Sequence, residues 1–191
     1  VALDAINSPK EFMAAKKIPM ATTLTIGENY SRLAEHPEYL DQALYQAVLT
    51  KDEIKKLKNE TSAEYRERTW TWWMKIMTPI AQENLRKLNA GGAVIALGTD
   101  QSSGPAVHRE MELLVAAGIP TSDVLKIATL NAARFLGMED ELGSISEGKL
   151  ADMVLLDADP IANIDNAKKI NVVIKNGVIV ERDKMKIPAN Q

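Results

Sequence analysis

The stretch Ala93-Val-Ile-Ala-Leu-Gly-Thr-Asp100 is an unbroken apolar run that stops abruptly at Gly98-Thr99-Asp100. Turn-forming residues follow, and a new helical pattern begins near His108. A short apolar run bounded by turn residues is typical of a strand buried on both faces, as in a parallel sheet. In α/β folds with parallel strands the chemistry is placed at the carboxyl ends of the strands, so Asp100 is a candidate catalytic acid. The alternative is that Asp100 caps the following turn or helix, because Asp accepts backbone N–H bonds well.

The composition is that of an ordinary folded domain. The 191 residues allow one large domain or one domain with an appendage, and the apolar fraction of 46% is ample for a core. The net charge is −3 without a basic patch, and no apolar run is long enough to span a bilayer, so we expect neither nucleic acid nor a membrane as a partner. The absence of cysteine excludes disulfides, thiolate metal sites and cysteine nucleophiles.

Upstream of the central run, a helix end and a strand are predicted. Residues 11–17 end in two lysines after apolar positions, as the last turn of a helix does. Residues 18–26 are rich in β-branched side chains, which predicts a strand that ends at Gly27. The order of helix, strand, helical region and strand is typical of βα repeats with parallel strands.

Three helical segments are predicted between the two strands. Residues 30–49 have a helical pattern that breaks at His36-Pro37, because the residue before proline is disfavoured in the α region. Residues 50–68 are highly charged and predict a solvated helix. Residues 69–90 form an amphipathic helix with this apolar stripe: Trp70, Trp73, Met77, Ile80, Ala81, Leu85 and Leu88. The helical spacing favours packing of this stripe over an aromatic ligand site.

Downstream of Asp100 the pattern changes from helices to short strands. One helix is predicted over residues 108–117 and a second from Pro120 to Gly137. Asn176-Gly177 has the residues that a type I′ hairpin requires. Short β segments without long helices between them predict a small antiparallel sheet, with segments at 144–145, 151–157, 170–175 and 178–181.

Several segments of this region occur in a distinctive order. They are Gly98-Thr-Asp100, His108-Arg-Glu-Met-Glu-Leu-Leu-Val-Ala-Ala-Gly118, Ala128-Thr-Leu-Asn-Ala-Ala-Arg-Phe-Leu-Gly137, Gly143-Ser-Ile-Ser-Glu-Gly-Lys-Leu-Ala-Asp-Met-Val-Leu-Leu-Asp157 and Val172-Val-Ile-Lys-Asn-Gly177. This succession resembles the carboxyl-terminal part of the metal-dependent amidohydrolase superfamily, most closely its imidazolonepropionase-like and metallo-prolidase-like branch. The resemblance covers residues 93–182, and the upstream strand fits the same layout more loosely.

The resemblance implies an α/β fold made of the last βα units of a (β/α)8 TIM-type barrel, plus a small antiparallel β-sandwich segment. Residues 1–142 are then the C-terminal portion of the barrel and residues 143–191 the sandwich segment. Because this is only part of a barrel, we expect the chain to be a fragment. Its expected partners are the remaining part of the barrel or a complementing chain, a small-molecule substrate, and further copies in a homo-oligomer. The compartment stays open, with the cytoplasm as our expectation.

Asp100 is the one residue that matches the family's metal ligands. These are a His-x-His pair, a carboxylated lysine or acid, two further histidines, and an aspartate that ends the last strand. No His-x-His is present, and neither His36 nor His108 lies at a matching strand end. The resemblance therefore implies one or two divalent metals, commonly zinc, held by Asp100 and by ligands outside this chain. A carboxylate there can also take a proton from the attacking water and return it to the leaving nitrogen.

Four further residues are candidate substrate contacts: Thr99, Ser102, Ser103 and His108. Turn chemistry accounts for the first three as well, and a capping or core role for the histidine. Thr23, Thr25 and Glu28 lie near the upstream strand end and are candidates for the same mouth, with loop polarity as the alternative.

The resemblance implies a hydrolase of C–N bonds in amides, cyclic amides or Xaa-Pro dipeptides. The alternative is a catalytically empty chain that binds a complementing subunit, because a few strands cannot close a barrel and leave edges that need a partner.

Overall fold

The computed structural model describes Met13, Lys16 and residues 18–185. Of the helix end predicted over residues 11–17, Met13 and Lys16 are described and helical, and the rest lies outside the described residues. The α-helices over this part of the chain are α1 (Leu24–Glu35), α2 (Ala43–Gln46), α3 (Lys51–Lys56), α4 (Ser62–Glu67), α5 (Thr69–Ala90), α6 (Gly104–Ala116), α7 (Thr121–Ala128) and α8 (Leu130–Phe135). The strands are β1 (Met20–Ala21), β2 (Ile95–Ala96), β3 (Met153–Leu156), β4 (Ile170–Lys175) and β5 (Val178–Ile179). Short 3₁₀ or π turns lie at Pro37–Asp41, Leu57–Thr61, Ile164–Lys168 and Arg182–Met185.

The central strand and its upstream neighbour form the predicted parallel pair. Met20 lies opposite Ile95, and Ala21 lies opposite Ala96. The ladder continues where the Thr22 N–H donates to the Ala96 carbonyl at 2.9 Å. Both residues of β2 are buried, which confirms the prediction of a strand covered on both faces.

The upstream strand is much shorter than predicted. β1 ends at Ala21 and α1 begins at Leu24, so the expectation of a strand through Ile26 is wrong. Gly27 lies inside α1, where a Cβ atom would be 3.0 Å from the Met74 sulfur of α5, and the glycine allows the two helices to approach closely. β-Branched side chains favour a strand locally, but the first turn of α1 is stabilised by a distant residue, Glu110.

Helix α5 has the predicted bounds, but only part of its apolar stripe is covered. Leu85 is buried, and Ala81 and Leu88 pack on the same core. In contrast, Trp70 and Trp73 are 54% and 48% exposed. The large apolar side chains that remain exposed over the first three turns form the open face of α5: Trp70, Trp72, Trp73, Ile76, Met77 and Ile80.

The core joins the parallel pair to the helices around it. Its buried members are Leu24, Leu85, Ile95, Met111, Leu113, Leu114, Ile119, Val124, Ile127, Ile164 and Ala167. The last two come from the 3₁₀ turn Ile164–Lys168, so the connection between β3 and β4 packs into the main core. A second cluster of Leu33, Tyr39 and Leu40 spans the break at Pro37, where α1 has ended as predicted.

The end of the described chain forms the predicted antiparallel sheet, in the order β3-β4-β5. Asn176 and Gly177 have φ angles of 50° and 77°, as the predicted hairpin turn requires. Two local predictions are wrong. Ser144-Ile145 is not a strand, and the helix predicted between Pro120 and Gly137 is broken at Thr129 into α7 and α8. Within the described residues, no helix has the length and apolar character needed to cross a membrane.

Candidate active site

The ends of the two parallel strands lie in contact with each other. A Cβ atom at Gly98 would be 2.7 Å from the Thr22 carbonyl oxygen, so no side chain fits at this position. Thr22 is 2% exposed, and its hydroxyl finds no hydrogen-bond partner among the described residues. Two polar strand ends therefore meet where parallel α/β folds place their chemistry. Thr22 was not among the candidate residues selected from the sequence.

Asp100 follows β2 in an exposed loop and has an unusual backbone conformation. Its φ angle is 50°, in the left-handed region that non-glycine residues rarely adopt. None of the described groups donates a hydrogen bond or forms an ion pair with its carboxylate. Ser103, not Asp100, occupies the N-cap position of α6, and no side chain caps that helix. The capping explanation of Asp100 therefore has no supporting contact, and a strained residue of this kind is often found at a functional site.

Gln101 ties the loop to the first turn of α1, the helix that follows β1. Its Nε2 donates to the Thr25 carbonyl oxygen at 3.1 Å. The Thr99 hydroxyl donates to the Gln101 carbonyl at 3.0 Å and accepts from the Gln101 N–H at 3.2 Å. Thr99 thus uses its hydroxyl within the turn. The Ser102 and Ser103 hydroxyls make no such bond to described residues.

Glu110 is the residue of this region that sequence reasoning missed. It is fully buried, and its carboxylate accepts hydrogen bonds from the Leu24 N–H at 2.9 Å, the Thr25 N–H at 2.7 Å and the Thr25 hydroxyl. Thr25 therefore lies in the first turn of α1 with its hydroxyl engaged. A charged residue within an otherwise buried helical face was the available signal, because acids are almost never fully buried unless paired.

Glu28 belongs to a charged network beside this region, and His108 lies close to that network. The Arg109 guanidinium donates to Glu28 and to Glu112, each at 2.7 Å, and Lys168 pairs with Glu112. Burial, and then the positive charge of Lys168, lowers the pKa of His108, whereas Glu112 opposes the shift. His108 is therefore neutral at pH 7, and its Nδ1 is buried without a hydrogen-bond partner among the described residues.

The described residues do not form a complete metal site by themselves. No group of three or more His, Asp or Glu side chains in this part of the chain is placed to hold a metal ion. A catalytic zinc takes about three protein ligands and a water. The free carboxylate of Asp100 has the right donor chemistry for one of them, so this chain fits a metal only as a contributor to a site that other residues complete.

Comparison with known protein families shows to which family the chain belongs. The sequence model of the Amidohydrolase family matches residues 28–180, which make up most of this chain. The chain belongs to the amidohydrolase family. This confirms the resemblance drawn from the segments between Gly98 and Gly177.

Relatives of this amidohydrolase chain include members of the predicted imidazolonepropionase and prolidase branch. It is 35% identical to the imidazolonepropionase of Caldanaerobacter subterraneus subsp. tengcongensis over 109 residues, which are 50% of this chain and 26% of that protein. It is 32% identical over 120 residues to the 5-methylthioadenosine/S-adenosylhomocysteine deaminase of Moorella thermoacetica, covering 50% of this chain and 28% of that protein. A crystal structure of a Xaa-Pro dipeptidase with methionine in its active site matches 94% of this chain and 37% of its own, with a TM-score of 0.61 and 26% identity. The chain thus spans about a quarter of the length of these curated relatives.

Proposed function

We propose that the full-length protein is a metal-dependent hydrolase that cleaves a C–N bond of a small molecule, and that Asp100 is a metal ligand and proton shuttle. The observation that carries the proposal is the Asp100 carboxylate, which follows the carboxyl end of a parallel strand pair and has no hydrogen-bond or ion-pair partner among the described residues. Membership of the amidohydrolase family supports the reaction class. Amides, cyclic amides and Xaa-Pro dipeptides are the proposed substrate classes, and the presence of an imidazolonepropionase and a Xaa-Pro dipeptidase among the relatives supports them.

The proposed chemistry assigns one role to this chain's carboxylate. When bound, the metal supplies an acidified water, whose pKa falls to near 7. A carboxylate oxygen of Asp100 would accept a proton from the water molecule that attacks the carbonyl carbon. The same oxygen then delivers the proton to the nitrogen as the C–N bond breaks, so the carboxylate is regenerated.

We further propose that Thr99, Ser102, Ser103 and His108 form the part of the substrate site that this chain contributes. Ser102 and Ser103 have the better support, because their hydroxyls bond no described residue. Thr99 would first have to leave its turn, where it holds Gln101. His108 would contact substrate as a neutral imidazole.

The proposed fold of the whole protein is a (β/α)8 barrel in which residues 1–142 form the C-terminal portion, with 143–191 in a small β-sandwich. Two features support completion by further chain. The edge of β1 away from β2 pairs with no described strand and borders a cavity of about 350 Å³ that Met20, Ile26, Met77 and Leu88 help to line. The open face of α5 lies on the helix beside it. Apolar faces of this size are normally covered by another element or partner.

Substitution of Asp100 by asparagine in the full-length protein tests the function. The substrate panel contains imidazolonepropionate and a set of Xaa-Pro dipeptides, and bound metal is measured alongside turnover. We expect Asp100→Asn to lower kcat by about 10²–10⁴-fold, because the base is lost while the size is kept. The matched control is Asp140→Asn, an exposed aspartate in another turn, which should leave kcat unchanged. Near-normal turnover of the Asp100→Asn protein on a substrate that the wild type hydrolyses would refute the proposed role.

A second function, a catalytically empty chain that binds a complementing subunit, is favoured by the open face of α5. It requires a separate polypeptide bound to this chain. The intact mass and metal content of the protein from its natural source distinguish the two proposals. One longer polypeptide with bound metal supports the hydrolase, whereas a 21.0 kDa chain held to a second subunit supports the complementing chain.

A further inference from the structure

Glu110 is a buried carboxylate held by the beginning of another helix. It lies on α6 with no exposed surface, and no described cation forms a salt bridge with it. Its hydrogen bonds come instead from the Leu24 and Thr25 N–H groups and from the Thr25 hydroxyl. A buried carboxylate is costly unless such donors surround it, and the positive end of the α1 dipole adds to their effect.

This contact replaces the local cap of α1. Thr23 occupies the N-cap position, and no side chain forms a capping bond from there. Glu110 supplies the missing acceptor from 85 and 86 residues away along the sequence. Because Leu24 begins α1 just after β1 ends at Ala21, a carboxylate that holds the first turn also holds the end of β1.

The same first turn holds the loop that carries Asp100. Thr25 donates to Glu110 through its N–H and hydroxyl, and its carbonyl oxygen accepts from Gln101 Nε2. Gln101 is the next residue after Asp100, and the Thr99 hydroxyl bonds its backbone N–H and carbonyl. Within the described part of the chain, no hydrogen bond or ion pair orients the Asp100 side chain, so its place depends on these neighbours.

We infer that Glu110 is a positioning residue for Asp100, acting through Thr25 and Gln101. It anchors the first turn of α1, that turn anchors Gln101, and Gln101 holds Asp100 at the meeting point of the two strand ends. The inference rests on the function proposed for Asp100. The coupling itself is a property of the fold that can be measured without a substrate.

The test is peptide-resolved hydrogen exchange of the full-length protein. In Glu110→Gln, one carboxylate oxygen becomes an amide group that faces donors. We expect exchange to accelerate about tenfold or more in peptides covering both residues 22–27 and residues 97–103. Gln101→Ala removes only the second link and should accelerate exchange in 97–103 alone. The matched control is Glu147→Gln, an exposed carboxylate in a turn outside this region, which should leave both segments unchanged.

The double variant and the kinetics separate positioning from simple stabilisation. Exchange in 97–103 should be no faster in Glu110→Gln/Gln101→Ala than in Glu110→Gln, because both changes break one path. On a substrate that the wild type hydrolyses, Glu110→Gln should lower kcat by about a hundredfold, as misplacement of a catalytic group by about 1 Å does, with KM within about twofold. Should Glu110→Gln fail to fold, Thr25→Val, which removes one of the three donors, takes its place in each comparison.

The outcomes are distinct. Faster exchange confined to 22–27, with unchanged kcat, overturns the inference and leaves Glu110 as a helix cap. Additive effects in the double variant overturn it too. Full activity of Asp100→Asn refutes the proposed function instead, and it does so whatever the exchange data show for Glu110.

Discussion

Replacing Gly143 with alanine tests how tightly the turn after α8 packs on that helix. Gly143 has a φ angle of +84°. A Cβ atom there would lie 2.7 Å from the Ala133 Cβ, 2.8 Å from the Leu130 Cα and 3.0 Å from the Thr129 carbonyl oxygen. Two of these three atoms belong to the backbone, so they cannot move aside as the end of a flexible side chain does.

The expected loss of stability has two parts. The left-handed conformation costs an L-residue about 1–2 kcal/mol, and forced overpacking costs about 1–3 kcal/mol more. Gly143→Ala should therefore lower the free energy of unfolding by about 2–5 kcal/mol. The matched control is Gly148→Ala, where φ is +85° and no atom lies within 4 Å of the added Cβ. Gly148→Ala should show only the cost of the left-handed conformation, about 1–2 kcal/mol.

Urea denaturation at 25 °C, followed by circular dichroism, measures both variants against the wild type. The difference between them isolates the steric contribution, because the φ angles are nearly equal. Equal destabilisation by the two substitutions would refute the close packing of the turn. A neutral Gly143→Ala would refute the backbone conformation as well.

Three further substitutions give separate tests. Burial lowers the pKa of His108 from its ordinary 6.5, so the unfolded chain binds the proton first and stability falls as the pH drops below about 6.5. His108→Gln should therefore reduce the pH dependence of the urea denaturation midpoint between pH 7.5 and about pH 5.5. The same pH dependence in the variant and the wild type would contradict this. Arg109→Met should cost about 1.5–3 kcal/mol in urea denaturation, because Glu28 and Glu112 lose their shared cation; no loss would show that the network is not stabilising. Thr50→Ala breaks the capping box that begins α3 and should cost about 1 kcal/mol by the same measurement, whereas Thr50→Ser should not.

Local patterns were sufficient for much of the fold. The apolar run ending at Asp100 predicted a doubly buried strand, and the turn residues Asn176-Gly177 predicted a hairpin, because both depend on residues that are adjacent in sequence. The bounds of α5 were predicted for the same reason. The strand expected through Ile26 failed because β-branched residues carry a local preference that a tertiary contact can override.

For the candidate site too, some features follow from the sequence and others only from the tertiary structure. By itself, the sequence determined that a buried strand precedes Gly98-Thr99-Asp100 and that its order of segments is that of an amidohydrolase. Only the tertiary structure decided that Glu110 is the acceptor for the first turn of α1 and that Gln101 joins Asp100 to that turn. It also decided which part of the α5 stripe stays uncovered. The physical reason is distance along the chain: periodicity and turn propensity act over a few residues, whereas Glu110 and Gln101 bond to residues 76 to 86 positions away.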